Sequence, residues 1–304
     1  MKAIIFAIVC TGLAANYSLA QKTDVRLEKK LRPILGSFHG TAGLYVENLK
    51  TGKIVAVNAH SVFPTASIIK VPILTALYHQ IDAGRLRYDK PLLYRDSLIY
   101  GGSGLMQFFK DSSKTDLGTA AALMVGYSDN TASLWLQSLV GGSDTVNYLM
   151  EHIGLHDTRD NSRTNRETFH GIYGWGQTTP REMATLLKLV FQKKILSPSA
   201  CESMYRTMSH VYYDNFSLSQ IPPYVQSASK QGMVDDSRSE LVLVNAPHGD
   251  YVFYIATKNN KDQRWVADNE AWELQRKVSA VLWQYFEPKS AWKPAPGYEK
   301  YLEK

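Results

Sequence analysis

Apolar residues recur every three or four positions at both ends of the chain and through its middle. The longest of these patterns span residues 22–38, 67–83 and 269–286, and each is typical of an amphipathic helix. Shorter patterns of the same period lie between the second and the third: 117–126, 130–139, 145–153 and 181–192. No alternation typical of a strand accompanies them, so we predict that the middle of the chain is helical.

Period-two alternation marks two pairs of strands, one near each end of the chain. Residues 43–49 and 53–57 make the first pair, with Thr51-Gly52 between them as a hairpin turn. Residues 240–244 and 251–256 make the second pair, separated by a segment rich in turn-forming residues. Antiparallel strands from both ends can share one sheet, with the first and last helices packed on it.

The order of these elements predicts an α/β fold of the α+β kind. The antiparallel sheet, flanked by the N- and C-terminal helices, would form one sub-domain from about residues 21–62 and 210–304. An all-α sub-domain would occupy about residues 63–209, inserted between the two halves of the sheet. The cleft between the two sub-domains is the expected place for a binding site.

The first residues of the chain have the pattern of a secretory signal peptide. Lys2 precedes an apolar stretch from Ile4 to Leu13, and Ser18-Leu19-Ala20 offers a small-x-small cleavage site. We therefore expect a signal peptide over residues 1–20, export to a bacterial periplasm and a mature domain over residues 21–304. No later segment has about 18 uninterrupted apolar residues, so no membrane span is expected.

Composition and charge narrow the class of protein further. The 304 residues are 44% apolar, enough for a sizeable core, and the net charge is +6. The basic residues are scattered singly or in pairs, so nucleic-acid binding is not expected. Cys201 is the sole cysteine after the signal segment, which excludes an internal disulfide. Neither a zinc motif nor a glycine-rich nucleotide motif occurs, so we expect no metal and no cofactor. We also expect a monomer.

A serine and a lysine stand three positions apart where the second long helix begins, in Ser67-Ile68-Ile69-Lys70. Positions i and i+3 share one helix face, so the hydroxyl and the amine are expected to be neighbours. Such a pair suits attack on a carbonyl, with Lys70 accepting the serine proton. About one such pattern occurs by chance in a chain of this length. The alternative is therefore a capping serine and a solvated lysine.

Ser128-Asp129-Asn130 lies between two predicted helices. As a cluster of capping residues it could simply begin the second of them. In a catalytic role, Ser128 would relay a proton toward the leaving group and Asn130 would offer its amide to the substrate. The tripeptide alone leaves both interpretations open.

Lys230-Gln231-Gly232 stands before a predicted strand. Lys230 would supply positive charge to a substrate carboxylate and to Ser128, and Gly232 would let an extended substrate lie against the strand edge. The backbone N–H of Met233, together with that of Ser67, would form an oxyanion hole.

These three motifs, in this order, resemble the signature of class A β-lactamases and penicillin-binding serine hydrolases. Ser128 follows Ser67 by 61 positions and Lys230 follows Ser128 by 102, close to the spacing in that family. The resemblance covers essentially the whole mature chain, and it implies the sheet architecture and the roles described above. It also implies that Arg238, which follows Ser237, helps to hold a substrate carboxylate.

The chain departs from the family pattern at two positions. Class A enzymes activate the deacylating water with an omega-loop glutamate, and the matching position here is Thr164 or Arg163. Glu167 is the nearest candidate for that base. Gln231 replaces the hydroxyl residue of the third motif and is expected to recognise a different substrate group.

A glycine-rich loop at residues 101–104 is expected on the rim of the cleft, with Tyr100 as a wall of the substrate site. The partner of this site would be a small molecule, either a β-lactam or a cell-wall peptide or ester. Three functions stay open: hydrolysis of the β-lactam amide through an acyl-serine, a peptidase or esterase, and a penicillin-binding protein with slow deacylation.

Overall fold

A computed structural model describes residues 22–301, and within that range the chain forms nine α-helices and ten β-strands. The helices are α1 (Val25–Gly36), α2 (Lys70–Asp82), α3 (Leu117–Gly126), α4 (Asn130–Leu139), α5 (Gly142–His152), α6 (Glu167–Tyr173), α7 (Pro180–Phe191), α8 (Pro198–Met208) and α9 (Glu270–Phe286). The strands are β1 (Thr41–Asn48), β2 (Ile54–Val57), β3 (Phe63–Pro64), β4 (Pro91–Leu93), β5 (Lys114–Asp116), β6 (Arg159–Asp160), β7 (Gly176–Thr178), β8 (Ser227–Val234), β9 (Ser237–Val244) and β10 (Tyr251–Lys258).

Strands from the two ends of the chain form one antiparallel sheet, in the order β2-β1-β10-β9-β8. β1 pairs with β10 along its whole length, from Thr41 opposite Lys258 to Asn48 opposite Tyr251. β8 stands at the edge of the sheet and pairs with β9 only. The sheet and its two flanking terminal helices confirm the predicted fold class.

Alternation along β1 divides the apolar core between the two faces of the sheet. Leu44 and Val46 join the cluster in which α1 and α9 cover one face. Tyr45, between them, points into the larger cluster that the helices of the middle segment build on the other face. This is the period of two that places successive strand residues on opposite faces.

Helix α2 is the core helix of the middle segment. Its residues from Lys70 to Tyr78 are all buried, on every side of the helix. A helix that is apolar all round must be surrounded by other elements, and α3, α4, α5 and α8 pack against it. Lys70, at its first turn, is thereby carried into the interior.

The prediction of an all-helical middle was wrong in detail. Five strands of only two or three residues lie there, too short to show alternation, and β3, β7 and β6 form a small sheet of their own. Helices α6 and α8 were also not predicted from the sequence. The third motif lies within strand β8, and not before a strand as we predicted. The polar residues and the glycine of β8 interrupt the apolar alternation by which a strand is recognised in sequence.

The predicted signal peptide at residues 1–20 lies outside the described residues, so that prediction stays untested. Among residues 22–301, no helix is both long and apolar enough to cross a membrane. Cys201 is buried in α8 as a free thiol.

Candidate active site

The three polar motifs meet through a chain of hydrogen-bond contacts. Lys70 Nζ lies 3.0 Å from Ser67 Oγ, 3.1 Å from Ser128 Oγ and 2.8 Å from Asn130 Oδ1. From the other side, Lys230 Nζ lies 2.9 Å from Ser128 Oγ. Ser128 thus bridges the two lysines, and five of the predicted residues form one continuous site.

Ser67 lies in a short 3-10 turn, Ala66–Ile69, that leads directly into α2. Ala66, just before it, has a φ of +44°, a backbone conformation that costs free energy in a residue with a side chain. Such strain persists only where surrounding packing imposes it, and it occurs frequently at active sites. Here the turn is held between β8 and β7, where Thr65 N donates to Gly176 O at 2.8 Å.

Gly232 allows β8 to pack against this turn. A Cβ atom at that position would lie 2.3 Å from Thr65 O and 3.0 Å from Ile68 N. The glycine therefore allows strand β8 to lie close to the turn that contains Ser67. Our expectation that it also makes room for substrate stays a prediction.

Lys70 is fully buried, and the four oxygen atoms it contacts in the described chain are all uncharged. Burial lowers the pKa of Lys70 well below its usual value, Lys230 lowers it further, and Asp129 opposes both. An amine in this environment is favoured in its neutral form. A neutral Lys70 can accept a proton from Ser67 at their 3.0 Å separation.

Asp129 is the residue of the second motif that serves as a helix cap. One carboxylate oxygen accepts from Ala132 N at 2.8 Å at the start of α4. The other accepts from Leu105 N at 2.6 Å and from Met106 N at 2.7 Å, which anchors the glycine-rich loop. The capping interpretation is therefore confirmed for Asp129. The catalytic interpretation of Ser128 and Asn130 stays a prediction.

Ser128 is presented to the site by a left-handed backbone conformation, with a φ of +54°. Its carbonyl oxygen accepts from Lys70 Nζ at 2.5 Å, and its hydroxyl lies between Lys70 and Lys230. This position suits a proton relay, because the hydroxyl can accept from one amine while it donates elsewhere.

Lys230 is also fully buried, and its ammonium group is directed at Ser128 Oγ and at Gln231 O, 2.8 Å away. Burial lowers the pKa of Lys230 to about 7, with Glu240 opposing the shift. Glu240 is itself buried, and burial raises its pKa to about 7. The charge on Lys230 therefore changes within the neutral pH range.

Two cavities open on Ser67, and both are also lined by Asn130 and Met233. The larger, of about 560 Å³, extends toward α6 and is lined by residues His170 to Trp175. The smaller, of about 360 Å³, extends past Ser128 and Gln231 to Trp265. We call them the acyl cavity and the leaving-group cavity. Ser67 and Met233, whose backbone amides are the expected oxyanion hole, line both cavities.

Two predicted substrate residues lie beside the cavities instead of lining them. Arg238 is fully buried, with its guanidinium 4.4 Å from the ring centre of Trp265 and 5.1 Å from that of Trp272. Tyr100 packs edge-on against Trp175 at 5.1 Å between ring centres, on the outer rim of the acyl cavity.

Glu167 is not brought to Ser67. It is the first residue of α6, exposed to solvent, and it lines neither cavity. Asp236 is the one carboxylate among the described residues that line the acyl cavity, and the leaving-group cavity is lined by none. No cluster of His, Cys, Asp or Glu that could hold a metal ion occurs in residues 22–301.

Sequence analysis missed several residues that line the site. His170 and Trp175 face the acyl cavity, and Tyr213 and Trp265 face the leaving-group cavity. The aromatic, glycine-rich run at residues 171–176, which directly follows His170 and contains Trp175, was a usable signal for the first pair. Nothing in the local pattern marks Tyr213 or Trp265, which reach the site only through the fold.

Comparisons with known proteins point to one family. A family model described as "Beta-lactamase enzyme family" matches residues 26–286. Beta-lactamase VEB-1 of Pseudomonas aeruginosa is 22% identical over 307 residues, covering 94% of this chain and 98% of that protein.

Solved structures extend the comparison. PBP-A is 29% identical, with a TM-score of 0.79, over 88% of this chain and 98% of that one. A point mutant of PBP-A, solved as an acyl-enzyme complex with penicillin G, has the same identity and coverage and a TM-score of 0.78. A β-lactamase from Sphaerobacter thermophilus, 21% identical with a TM-score of 0.76 over 87% of this chain and 98% of that one, shares the fold.

Proposed function

The chain belongs to the beta-lactamase enzyme family, and from that premise we propose that it opens β-lactam amides through an acyl-Ser67 intermediate which it releases slowly. The observation that carries the proposal is the part-buried contact of 3.0 Å between Ser67 Oγ and Lys70 Nζ. Lys70 has only uncharged oxygen partners among the described residues, and burial lowers its pKa, which favours the neutral amine that can act as a base.

Acylation follows from the positions of these groups. Lys70 takes the proton of Ser67, whose oxygen attacks the lactam carbonyl carbon and forms the new C–O bond. The backbone amides of Ser67 and Met233 stabilise the negative charge on the carbonyl oxygen. As the C–N bond breaks, Ser128 donates a proton to the leaving nitrogen and is replenished from Lys70, with Lys230 holding its hydroxyl.

Deacylation needs a water activated by a base, and no carboxylate of the described residues is hydrogen-bonded to Lys70. Asp236, in the turn between β8 and β9, is the one carboxylate that lines the acyl cavity. Glu167, the candidate from sequence, is exposed at the start of α6 and lines neither cavity. We propose that the acyl-enzyme of this protein is therefore long-lived.

A second candidate is a penicillin-binding protein or a peptidase or esterase that uses the same acyl-serine. The likeness to PBP-A, at 29% identity over 88% of this chain, favours it. Under this alternative the acylated state itself, or transfer from a cell-wall peptide or ester, is the biological event. The same Ser67, Lys70 and Ser128 would carry it.

We further propose that residues 1–20 direct export to the periplasm and that residues 21–304 act there as one mature unit on small-molecule substrates. The charged, apolar and small-x-small order of the first residues supports this. The roles of Asn130 and Lys230 as substrate contacts belong to the same proposal.

Mixing the protein with a chromogenic cephalosporin is expected to give a burst of about one equivalent of opened lactam, followed by slow turnover. The physical reason is fast acylation through neutral Lys70 and deacylation without a positioned base. Stopped-flow absorbance measures both phases. Glu167→Gln serves as the matched control and should change the slow phase by less than about twofold, within the range of surface substitutions. Linear turnover with no burst, or a slow phase lost in Glu167→Gln, contradicts the proposal.

The acylation rate is expected to have a bell-shaped pH dependence for a substrate with a carboxylate. As the pH falls through the depressed pKa of Lys70, the base becomes protonated and the rate falls. As the pH rises through about 7, Lys230 loses its proton and no longer attracts the substrate carboxylate, so the rate falls again. Single-turnover acylation rates, measured from about pH 4 to about pH 10, check both limbs. A rate that keeps rising well above the pKa of Lys230 contradicts its role.

A further inference from the structure

We infer that Tyr213 and Trp265 form an aromatic subsite in the leaving-group cavity, which favours substrates whose leaving group carries a planar aromatic ring beside its carboxylate. This inference rests on the proposed acyl-Ser67 chemistry and names the substrate class of the same site. The carboxylate of the leaving group contacts Lys230, as in the proposed function, and the ring is a second feature of the same leaving group.

The Trp265 ring is held in place by three neighbours. Its Nε1 donates to Asp235 Oδ1 at 2.6 Å, and the guanidinium of Arg238 lies 4.4 Å from its ring centre. Trp272 packs edge-on against it, with 5.8 Å between ring centres. Trp265 is nevertheless 55% exposed, and it lines the leaving-group cavity. A large ring that is already fixed and still accessible loses little conformational entropy when a ligand packs against it.

The Tyr213 ring is fixed as well. Its hydroxyl oxygen lies 3.3 Å from Ser103 Oγ, which itself donates to Tyr127 O at 3.0 Å. Tyr212 packs edge-on against Tyr213 and stacks on Tyr127, with 5.2 Å between ring centres in each pair. Tyr213 is half-buried in this group of tyrosines and lines the leaving-group cavity.

The two rings reach one cavity from distant parts of the chain. Tyr213 follows α8, Trp265 follows β10, and the cavity that both line is also lined by Ser67 and Ser128. Its volume of about 360 Å³ is at the small end of ligand pockets, which suits one ring better than an extended chain. Aromatic rings attract one another through their quadrupoles in addition to the burial of apolar area. A planar ring therefore gains contacts here that an aliphatic group of the same size does not.

The charges around the cavity are compatible with a carboxylate on the same leaving group. No carboxylate occurs among the described residues that line the cavity, so an anionic leaving group meets no like charge there. Lys230 Nζ lies 2.9 Å from Ser128 Oγ, and Ser128 lines the cavity. The subsite therefore adds recognition of a ring to the recognition of a carboxylate and does not replace it.

A set of thioesters with one acyl group tests the inference. Each releases an α-mercapto acid whose side chain is methyl, cyclohexylmethyl or benzyl, so the sulfur and the carboxylate are the same throughout. Ser67 transfers its proton to Lys70, the C–O bond forms and the C–S bond breaks, and the thiolate receives its proton through Ser128. Thiol release gives kcat/KM for each. We expect benzyl to exceed methyl by about tenfold or more and cyclohexylmethyl by about threefold or more.

Leucine variants of the two rings locate the preference. Tyr213→Leu and Trp265→Leu keep apolar bulk without a ring, and each should lower the benzyl-to-cyclohexylmethyl ratio of kcat/KM to about one. Tyr213→Phe and Trp265→Phe keep a ring and should retain most of the wild-type ratio. The exposed Tyr224, which lines neither cavity, provides the control, and Tyr224→Leu should keep that ratio. Because every substrate carries the same carboxylate, an effect of Trp265 on Arg238 cancels in the ratio.

The outcomes separate this inference from the function on which it rests. Far-ultraviolet circular dichroism and penicillin labelling of each variant report the fold and Ser67 independently. A wild-type protein that turns over the cyclohexylmethyl and benzyl thioesters equally well overturns the subsite, and so does a ratio unchanged in both leucine variants, even though penicillin still labels Ser67. Absence of any Ser67 adduct with penicillin or with the thioesters overturns the proposed function and this inference with it.

Discussion

Ser67→Ala is expected to abolish covalent labelling by penicillin and to lower the opening of a chromogenic cephalosporin by about a thousandfold or more. The proposed acyl bond forms on Ser67 Oγ, and the oxygen that contacts Lys70 at 3.0 Å is the atom the substitution removes. Alanine fits the same space, so the fold should be retained. Intact-protein mass after incubation with penicillin measures the adduct.

A second serine provides the control for that experiment. Ser138 lies on the exposed face of α4 and outside both cavities. Ser138→Ala should still gain the mass of one penicillin per chain. Stoichiometric labelling of Ser67→Ala would falsify the assignment of the nucleophile and the whole scheme with it.

Lys70→Met is expected to slow acylation by about 10²- to 10⁴-fold while leaving the final extent of labelling near one equivalent. Methionine has nearly the length of lysine and fills the same buried space, but it cannot accept the Ser67 proton. The fold should tolerate the change, because the lysine is fully buried with no carboxylate partner among its contacts. Single-turnover acylation rates provide the measurement.

Two companion variants sharpen the result for Lys70. Lys70→Arg keeps a cation that stays protonated and should be as slow as Lys70→Met, because the lost property is basicity and not charge. The exposed Lys29 of α1 offers the control, and Lys29→Met should acylate at the wild-type rate. If Lys70→Met acylates at the wild-type rate, the proton acceptor is another group.

The long elements were predictable because their patterns extend over several turns or residues. The final helix was predicted at 269–286 and begins at Glu270 in the structure, and β10 extends the predicted strand 251–256 to Lys258. The short strands β3, β6 and β7 were not predictable. Two or three residues carry no period, and these strands form only because the fold brings their segments together.

The candidate site divides in the same way. Ser67 and Lys70 are neighbours because a helical turn places positions i and i+3 on one face, which local spacing alone predicts. Glu167 was predicted near the site by counting residues along a loop. In a loop, a residue's position in the sequence does not determine which way its side chain points. In the structure Glu167 is exposed, while His170, three residues later, lines the acyl cavity.

The sequence by itself determined the fold class, through hydrophobic periodicity, and the residue types of an acyl-serine site, through three motifs in order. Only the tertiary structure decided their environment: that Lys70 is buried among uncharged oxygens, that Arg238 lies beneath Trp265, and that Gln231 has an unpartnered amide. The physical reason is the distance along the chain over which each property is determined. Spacing along a helix or strand is a local property, whereas burial, pKa and unused hydrogen bonds depend on segments distant in the chain.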